Sequence, residues 1–271
     1  MADVLITVKT SPQPSLKYGD TVCVAGIRID GGRFDWVRIY PIPFRWLGSD
    51  QQFKKYDVVR VELRRRDQDS RPESYSPTID SIERVAHKDK WKDREPIMRH
   101  VARTSTCEMR RNASVAHNAP SLGMVDIAEI VRFDFAKHPG WTPAEAKKIA
   151  AAMEMPSADL FGSRLVPPKL VAPRFKVSYR YRCSEPPCPT HTGQILDWEL
   201  SELQRHLKGK SDEELRAAVK TRFVYQMMNP RKMTSFFMGN FEDPRKRHNF
   251  SVLGVYYPDR TTAMDVPLFD L

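Results

Sequence analysis

Between Val4 and Arg64 the chain runs in short alternating segments. Their connections are too short to hold crossover helices, which disfavours a parallel α/β sheet. Val4–Lys9 alternates weakly, Thr21–Ile29 is rich in β-forming residues, and Asp30-Gly31-Gly32 supplies a hairpin turn in which glycine tolerates positive φ. The return strand, Phe34–Tyr40, puts Trp36, Arg38 and Tyr40 on one face and Val37 and Ile39 on the other. Pro41 and Pro43 then confine the chain to an edge or a loop. Over Val58–Arg64, Val59, Val61 and Leu63 point inward while Arg60, Glu62 and Arg64 face water. Strands joined this tightly fit a small twisted barrel.

Helical signals come later. Glu95–Arg111 reads as a helix with Met98, Val101 and Ser105 on one side, and Ile130–Phe135 alternates as a strand. Thr142, Pro143 and Glu145 form a capping box with proline at the first helical position, and the helix they open runs to about Met153. The stretch from Pro156 to Pro173 is proline-rich and is the expected domain boundary. Beyond it, Phe175, Val177, Tyr179, Tyr181 and Cys183 alternate with Arg174, Lys176, Ser178, Arg180 and Arg182, so one strand carries an aromatic face and a basic face. Two helices follow, the first carrying Leu196, Leu200, Leu203 and Leu207 at helical spacing, the second opened by Ser211 and Glu214. Strands at Met233–Met238 and Phe250–Tyr257 end the pattern, and no internal repeat is visible. The expected class is α+β. Residues 1–155 would form an OB-like β-barrel domain with a helical insert, and 174–260 a mixed α/β domain with a Cys/His loop.

Lys and Arg number 44 against 34 Asp and Glu, a formal charge of +10. The excess sits in residues 54–111 and 161–271, whereas 112–160 is slightly acidic. Basic blocks of this kind attract phosphate backbones, so nucleic acid is the expected partner, against the plainer reading of solubility alone. The candidate contacts are the aromatic cluster Trp36, Tyr40, Phe44 and Trp46 interleaved with Arg38 and Arg45, and the strand residues Lys176, Arg180 and Arg182. The basic runs Arg64–Arg66 and Arg245, Lys246 and Arg247 complete the set. Aromatics on a small barrel can stack bases, though they are as often buried anchors. No run of residues is apolar enough for a membrane helix, and Met1–Val8 reads as a strand rather than a signal peptide, so a cytoplasmic location is expected.

Cys183, Cys188 and His191 place two thiols and an imidazole within nine residues around a proline-stiffened turn. This is the expected metal site, with zinc as the metal. A structural site needs a fourth ligand, for which His206, His248 or Asp197 are candidates; three ligands and a water would make a catalytic site, and unliganded thiols remain the bland alternative. Cys23 and Cys107 offer no comparable spacing. Asp197 and Glu199 open a helix, where acidic residues suit the helix dipole. The sharper alternative is a metal-dependent nuclease built on them or on the cysteine loop. Side chains two apart on a helix diverge, which argues against a shared ion. P-loops, nucleophile elbows and deaminase signatures are absent, and no catalytic residue is assigned.

Five stretches carry a family resemblance: Val22–Ile27, Trp36–Pro41, Arg71–Tyr75, Ile195–Glu199 and Leu253–Pro258. Together they resemble the dual OB-containing domain family of prokaryotic proteins, over nearly the whole chain. The resemblance implies two barrels rather than one, and a role in nucleic-acid recognition as a sensor or adaptor in defence or mobile-element systems. A subunit that only contacts other proteins is the third reading.

Overall fold

The computed structural model describes residues 1–154 and 167–261; residues 155–166 of the expected proline-rich boundary lie outside them. The first 100 residues build one curled sheet. Its strands are β1 (Ala2–Lys9), β2 (Gln13–Ser15), β3 (Gly19–Arg28), β4 (Trp36–Ile42), β5 (Asp57–Val61), β6 (Leu63–Arg65), β7 (Ser74–Pro77) and β8 (Glu83–His87). The order is β6-β7-β4-β3-β1-β5-β8, with β2 against β3. Only Glu62 separates β5 from β6, so one bent strand pairs with β1 at one end of the sheet and with β7 at the other. The sheet therefore curls back on itself, as the short connections required. The turn at Gly31 and Gly32 adopts φ of 64° and 70°, the left-handed region that glycine enters without strain. Inside the curl, Val4, Ile6, Val24, Val37, Ile39 and Val59 pack together.

Helix α1 (Trp91–Met98), the short strand β9 (Arg103–Thr104) and helix α2 (Thr106–Val115) follow. The single helix expected over 95–111 is thus two helices with a strand between them. The break has a local cause: Ser105 accepts a hydrogen bond from the Glu108 amide and caps α2.

The second sheet contains β10 (Leu122–Lys137), β11 (Phe175–Cys183), β12 (His191–Gln194), β13 (Ser235–Asn240) and β14 (Phe250–Tyr256) in the order β12-β11-β10-β13-β14, with β9 beside β10. Strand β10 serves two partners: residues 122–126 pair with β13, and residues 127–137 with β11. The expected units 1–155 and 174–260 therefore share this sheet. Helix α3 (Pro143–Met153) lies between β10 and β11 in sequence, and its capping box forms as expected. Helices α4 (Trp198–His206) and α5 (Asp212–Lys220) lie between β12 and β13. Ile195 bridges Val252 in parallel, which brings the end of β12 to β14.

The two sheets repeat one pairing scheme. In the first, β1 pairs β3 and β5, β4 pairs β3 antiparallel and β7 in parallel, and the β5–β6 strand pairs β7. In the second, β10 pairs β11 and β13, β12 pairs β11 antiparallel and meets β14 in parallel, and β13 pairs β14. Positions of β1, β3, β4, β5–β6 and β7 thus correspond to β10, β11, β12, β13 and β14.

The sheets are packed against each other. Leu5, Ala25, Ile27 and Val58 of the first join Leu122, Met124, Phe237 and Leu253 of the second in one buried cluster. The approach is close at Gly239, where a Cβ would come within 2.5 Å of Leu253 and 3.2 Å of the Arg38 guanidinium. A second core lies inside the later sheet, where Tyr179, Tyr181, Phe223 and Phe236 are almost wholly buried. No helix among the described residues is long and apolar enough to cross a membrane.

Candidate functional site

Three elements bring a set of soft ligands together. Strand β11 ends on Cys183, the turn carries Cys188, and β12 begins on His191, whose partner across the ladder is Tyr181. The fourth is Cys107 in the first turn of α2. The ligand atoms of all four lie within 4.8 Å of one another. Sulfur–sulfur separations are 3.3 Å for Cys183–Cys188, 3.7 Å for Cys107–Cys188 and 3.7 Å for Cys107–Cys183. His191 Nε2 is 3.2 Å from Cys107, 3.2 Å from Cys188 and 3.8 Å from Cys183. A tetrahedron with Zn–S near 2.3 Å and Zn–N near 2.0 Å has edges of roughly 3.5–3.8 Å, so the set, at 3.2–3.8 Å, is compatible with a zinc ion after a shift of a few tenths of an ångström.

The surroundings agree with a metal site. The Cys183 amide donates to Cys188 Sγ at 3.3 Å. His191 Nδ1 is buried without a partner among the described residues, so Nε2 is the nitrogen turned to the thiols and Nδ1–H the one left for a water. Burial lowers the His191 pKa, which favours the neutral imidazole that a metal needs. Burial also pushes the Cys107 thiol up to about 12, and a divalent cation among the sulfurs reverses that preference. Glu185 bonds Ser105 and, at 2.5 Å, Arg111, tying the turn to α2 beside the cluster.

The expected fourth ligands do not take part. His206 is exposed and hydrogen-bonds the Glu202 carbonyl, His248 is exposed in the β13–β14 loop, and Asp197 pairs with Lys55. Cys107 was passed over because it lies 76 residues before Cys183, a separation with no local signal. Four protein ligands on one ion would leave no position for a water, so the cluster has the make-up of a structural rather than a catalytic site.

Asp197 and Glu199 act in the framework. Asp197 accepts from the Glu199 amide and caps α4. Its Oδ2 lies 2.5 Å from Lys55 Nζ, and Glu199 lies 3.5 Å from the same amine and 3.7 Å from Arg222. Between them Trp198 packs edge-on against Phe44, and Lys9 Nζ sits 3.7 Å from the Phe44 ring centre and 4.5 Å from that of Trp198.

The N-terminal aromatic set is similarly structural. Val37 and Ile39 fill the first core, so alternation turns Trp36, Arg38 and Tyr40 toward the second sheet. Trp36 meets Phe237 edge-on at 5.8 Å. Arg38 is 4% exposed and donates to Ser121 Oγ at 2.9 Å and to Cys23 Sγ at 3.3 Å, so its guanidinium does not face solvent as a phosphate contact must. Glu73 completes this seam by accepting from the Ser121 amide at 2.7 Å. Tyr40 lies under the Arg66 guanidinium, and Trp46 Nε1 donates to Asp20 at 3.1 Å.

The basic strand behaves differently. Lys176 and Arg182 are exposed and Arg180 is half-buried, and Lys176 and Arg180 have no ion pair among the described residues. Arg182 reaches Glu129 at 2.9 Å on the surface. Across the ladder stand Thr192 and Gln194 of β12. Arg245, Lys246 and Arg247 sit in the β13–β14 loop, with Arg245 paired to Asp243. That loop lies beside Ser70 and His117, beyond the far end of α2, while β11 ends at the helix's first turn.

A family model described as "Domain of unknown function (DUF8757)" matches residues 102–271, and a second, "Domain of unknown function (DUF8758)", matches residues 1–100. No curated protein matches the chain. The junction between the two models falls between α1 and β9, where the first sheet has ended and the second begins.

Proposed function

The chain belongs to the DUF8757 family, and we propose that it is a nucleic-acid-binding module of two fused OB-type barrels, with zinc held by Cys107, Cys183, Cys188 and His191. The repeated pairing scheme supports the two-barrel reading: each sheet curls through five strand positions with one parallel contact, a partly open Greek-key arrangement. The dual OB resemblance would then describe a duplication that the residues no longer display.

One observation carries the binding assignment. In OB folds the face of the second and third strands receives oligonucleotides. In the first barrel that face belongs to β3 and β4, and the second sheet covers it. In the second barrel it belongs to β11 and β12, and it presents Lys176, Ser178, Arg180, Arg182, Thr192 and Gln194. The first barrel is thus a scaffold and the second the reader. Zinc fixes the β11–β12 turn and ties it to α2, which sets the register of the basic row. Phosphate contacts of this kind give affinity without base identity. A prokaryotic defence or mobile-element role rests on the resemblance alone.

The test is a binding series on DNA and RNA, single- and double-stranded, at rising salt and with and without Mg²⁺, with the products run on a denaturing gel. Affinity falling steeply with salt and an intact substrate are expected. Cleavage would favour the nuclease alternative. No binding at about 50 mM salt would leave the charge serving solubility only.

A further inference from the structure

A cavity between the barrels touches the basic row. Its volume is about 680 Å³, within the range of small-molecule sites. One wall is aromatic, from Phe44, Trp141 and Trp198. The indole of Trp141 donates to the Leu170 carbonyl at 3.3 Å, which fixes its edge and holds residues 167–173 as a further wall. At the rim stand Lys176 and Lys208, both exposed and without an ion pair among the described residues, together with Gln194. The acidic side chain in the lining, Glu202, is already engaged by Arg205 through three hydrogen bonds at 2.7–3.1 Å. An aromatic wall below unpaired lysines fits a flat heteroaromatic ring that carries phosphate.

Lys176 and Gln194 line both this cavity and the outer face of β11 and β12. We infer that the cavity takes the base of an unpaired nucleotide whose phosphates run along the basic row, which makes single-stranded nucleic acid the substrate class. The inference rests on the binding role proposed for that row. A paired base is held in its stack and reaches such a pocket only after extrusion, so a duplex is penalised. Stacking on aromatic side chains is tolerant of base identity, so the pocket adds affinity with little sequence preference.

The experiment uses fluorescence anisotropy with a short oligo(dT), its RNA counterpart and a duplex of equal length, on the full chain. The variants are Trp141→Ala, Lys208→Glu and the pair Arg180→Glu with Arg182→Glu, each checked for native circular dichroism. Trp141→Ala should weaken single-strand binding about tenfold with no change in salt slope. Lys208→Glu, on an exposed position, should weaken it and lower the slope by about one ion. Duplex binding should be weaker than single-strand binding and insensitive to Trp141→Ala. If the arginine pair matters but Trp141→Ala and Lys208→Glu bind like wild type, the cavity inference falls and the basic row stands. Equal affinity for duplex and single strand also overturns it. If nothing binds, both readings fall together.

Discussion

Lys55 Nζ of the first barrel lies 2.5 Å from Asp197 Oδ2 at the cap of α4, with the carboxylate side chain only 1% exposed. This contact, with Thr10 bridging Asp197 and Ser11 bonded to Ser201 at 2.6 Å, bolts the first sheet to the helices of the second half. Removing one partner of a buried pair leaves the other charge uncompensated. Asp197→Ala should therefore lower unfolding free energy by about 3 kcal/mol, read from urea midpoints, while leaving nucleic-acid affinity within twofold. Wild-type stability in this variant would contradict the bolt.

Lys9 gives that seam a pH signature. Burial, then repulsion from Lys55, depresses its pKa to about 8 from an ordinary 10.5. Between these values the unfolded chain binds more protons than the folded one, so this group makes stability rise as pH climbs from 8 toward 10. Below pH 8 both states are protonated and the cost of the buried charge is constant. The rise should be about 2 kcal/mol in wild type relative to Lys9→Met, which lacks the titrating amine. Parallel curves for the two proteins over that window would refute it.

Zinc content is the third test. Protein purified without chelator should carry about one zinc per chain, and Cys107→Ser should lose it as readily as Cys183→Ser. Retained zinc in the Cys107 variant would mean that a different group completes the tetrahedron.

Much of the architecture was legible from the residues. Alternation from Val4 to Leu63 marked β1, β3, β4 and the bent β5–β6 strand of the first sheet but not β2, β7 or β8, and both capping boxes, at Thr142 and Ser211, open helices where expected. Three of the four residues of the Cys/His cluster were visible because they share one turn. What was hidden is long-range. Cys107 joins the cluster only through folding. The single helix expected over 95–111 failed because Ser105 caps a new helix in mid-segment. The shared pairing scheme of the two sheets is invisible in sequence because it lies in strand order and not in side chains. Trp36 and Arg38 looked like a binding face since periodicity shows which residues share a side and not what covers that side.

Arg38 separates these two readings directly. Arg38→Ala would remove the buried guanidinium that donates to the Ser121 carbonyl and hydroxyl at the seam, so it should destabilise the fold by about 2 kcal/mol in thermal or urea unfolding. It should leave affinity for nucleic acid unchanged at temperatures where the protein is folded. Loss of affinity with unchanged stability would return Arg38 to the binding surface.

The assignment of binding to the second barrel is tested most directly by the salt dependence of affinity in the Arg180→Glu, Arg182→Glu double variant. A plot of log affinity against log salt for single-stranded DNA should be steep in wild type. In the variant it should be flatter by about two ions and weaker at every salt concentration, with zinc content and unfolding midpoint unchanged. A variant whose slope and affinity match wild type would contradict the account, since the charged face of β11 would then make no phosphate contact.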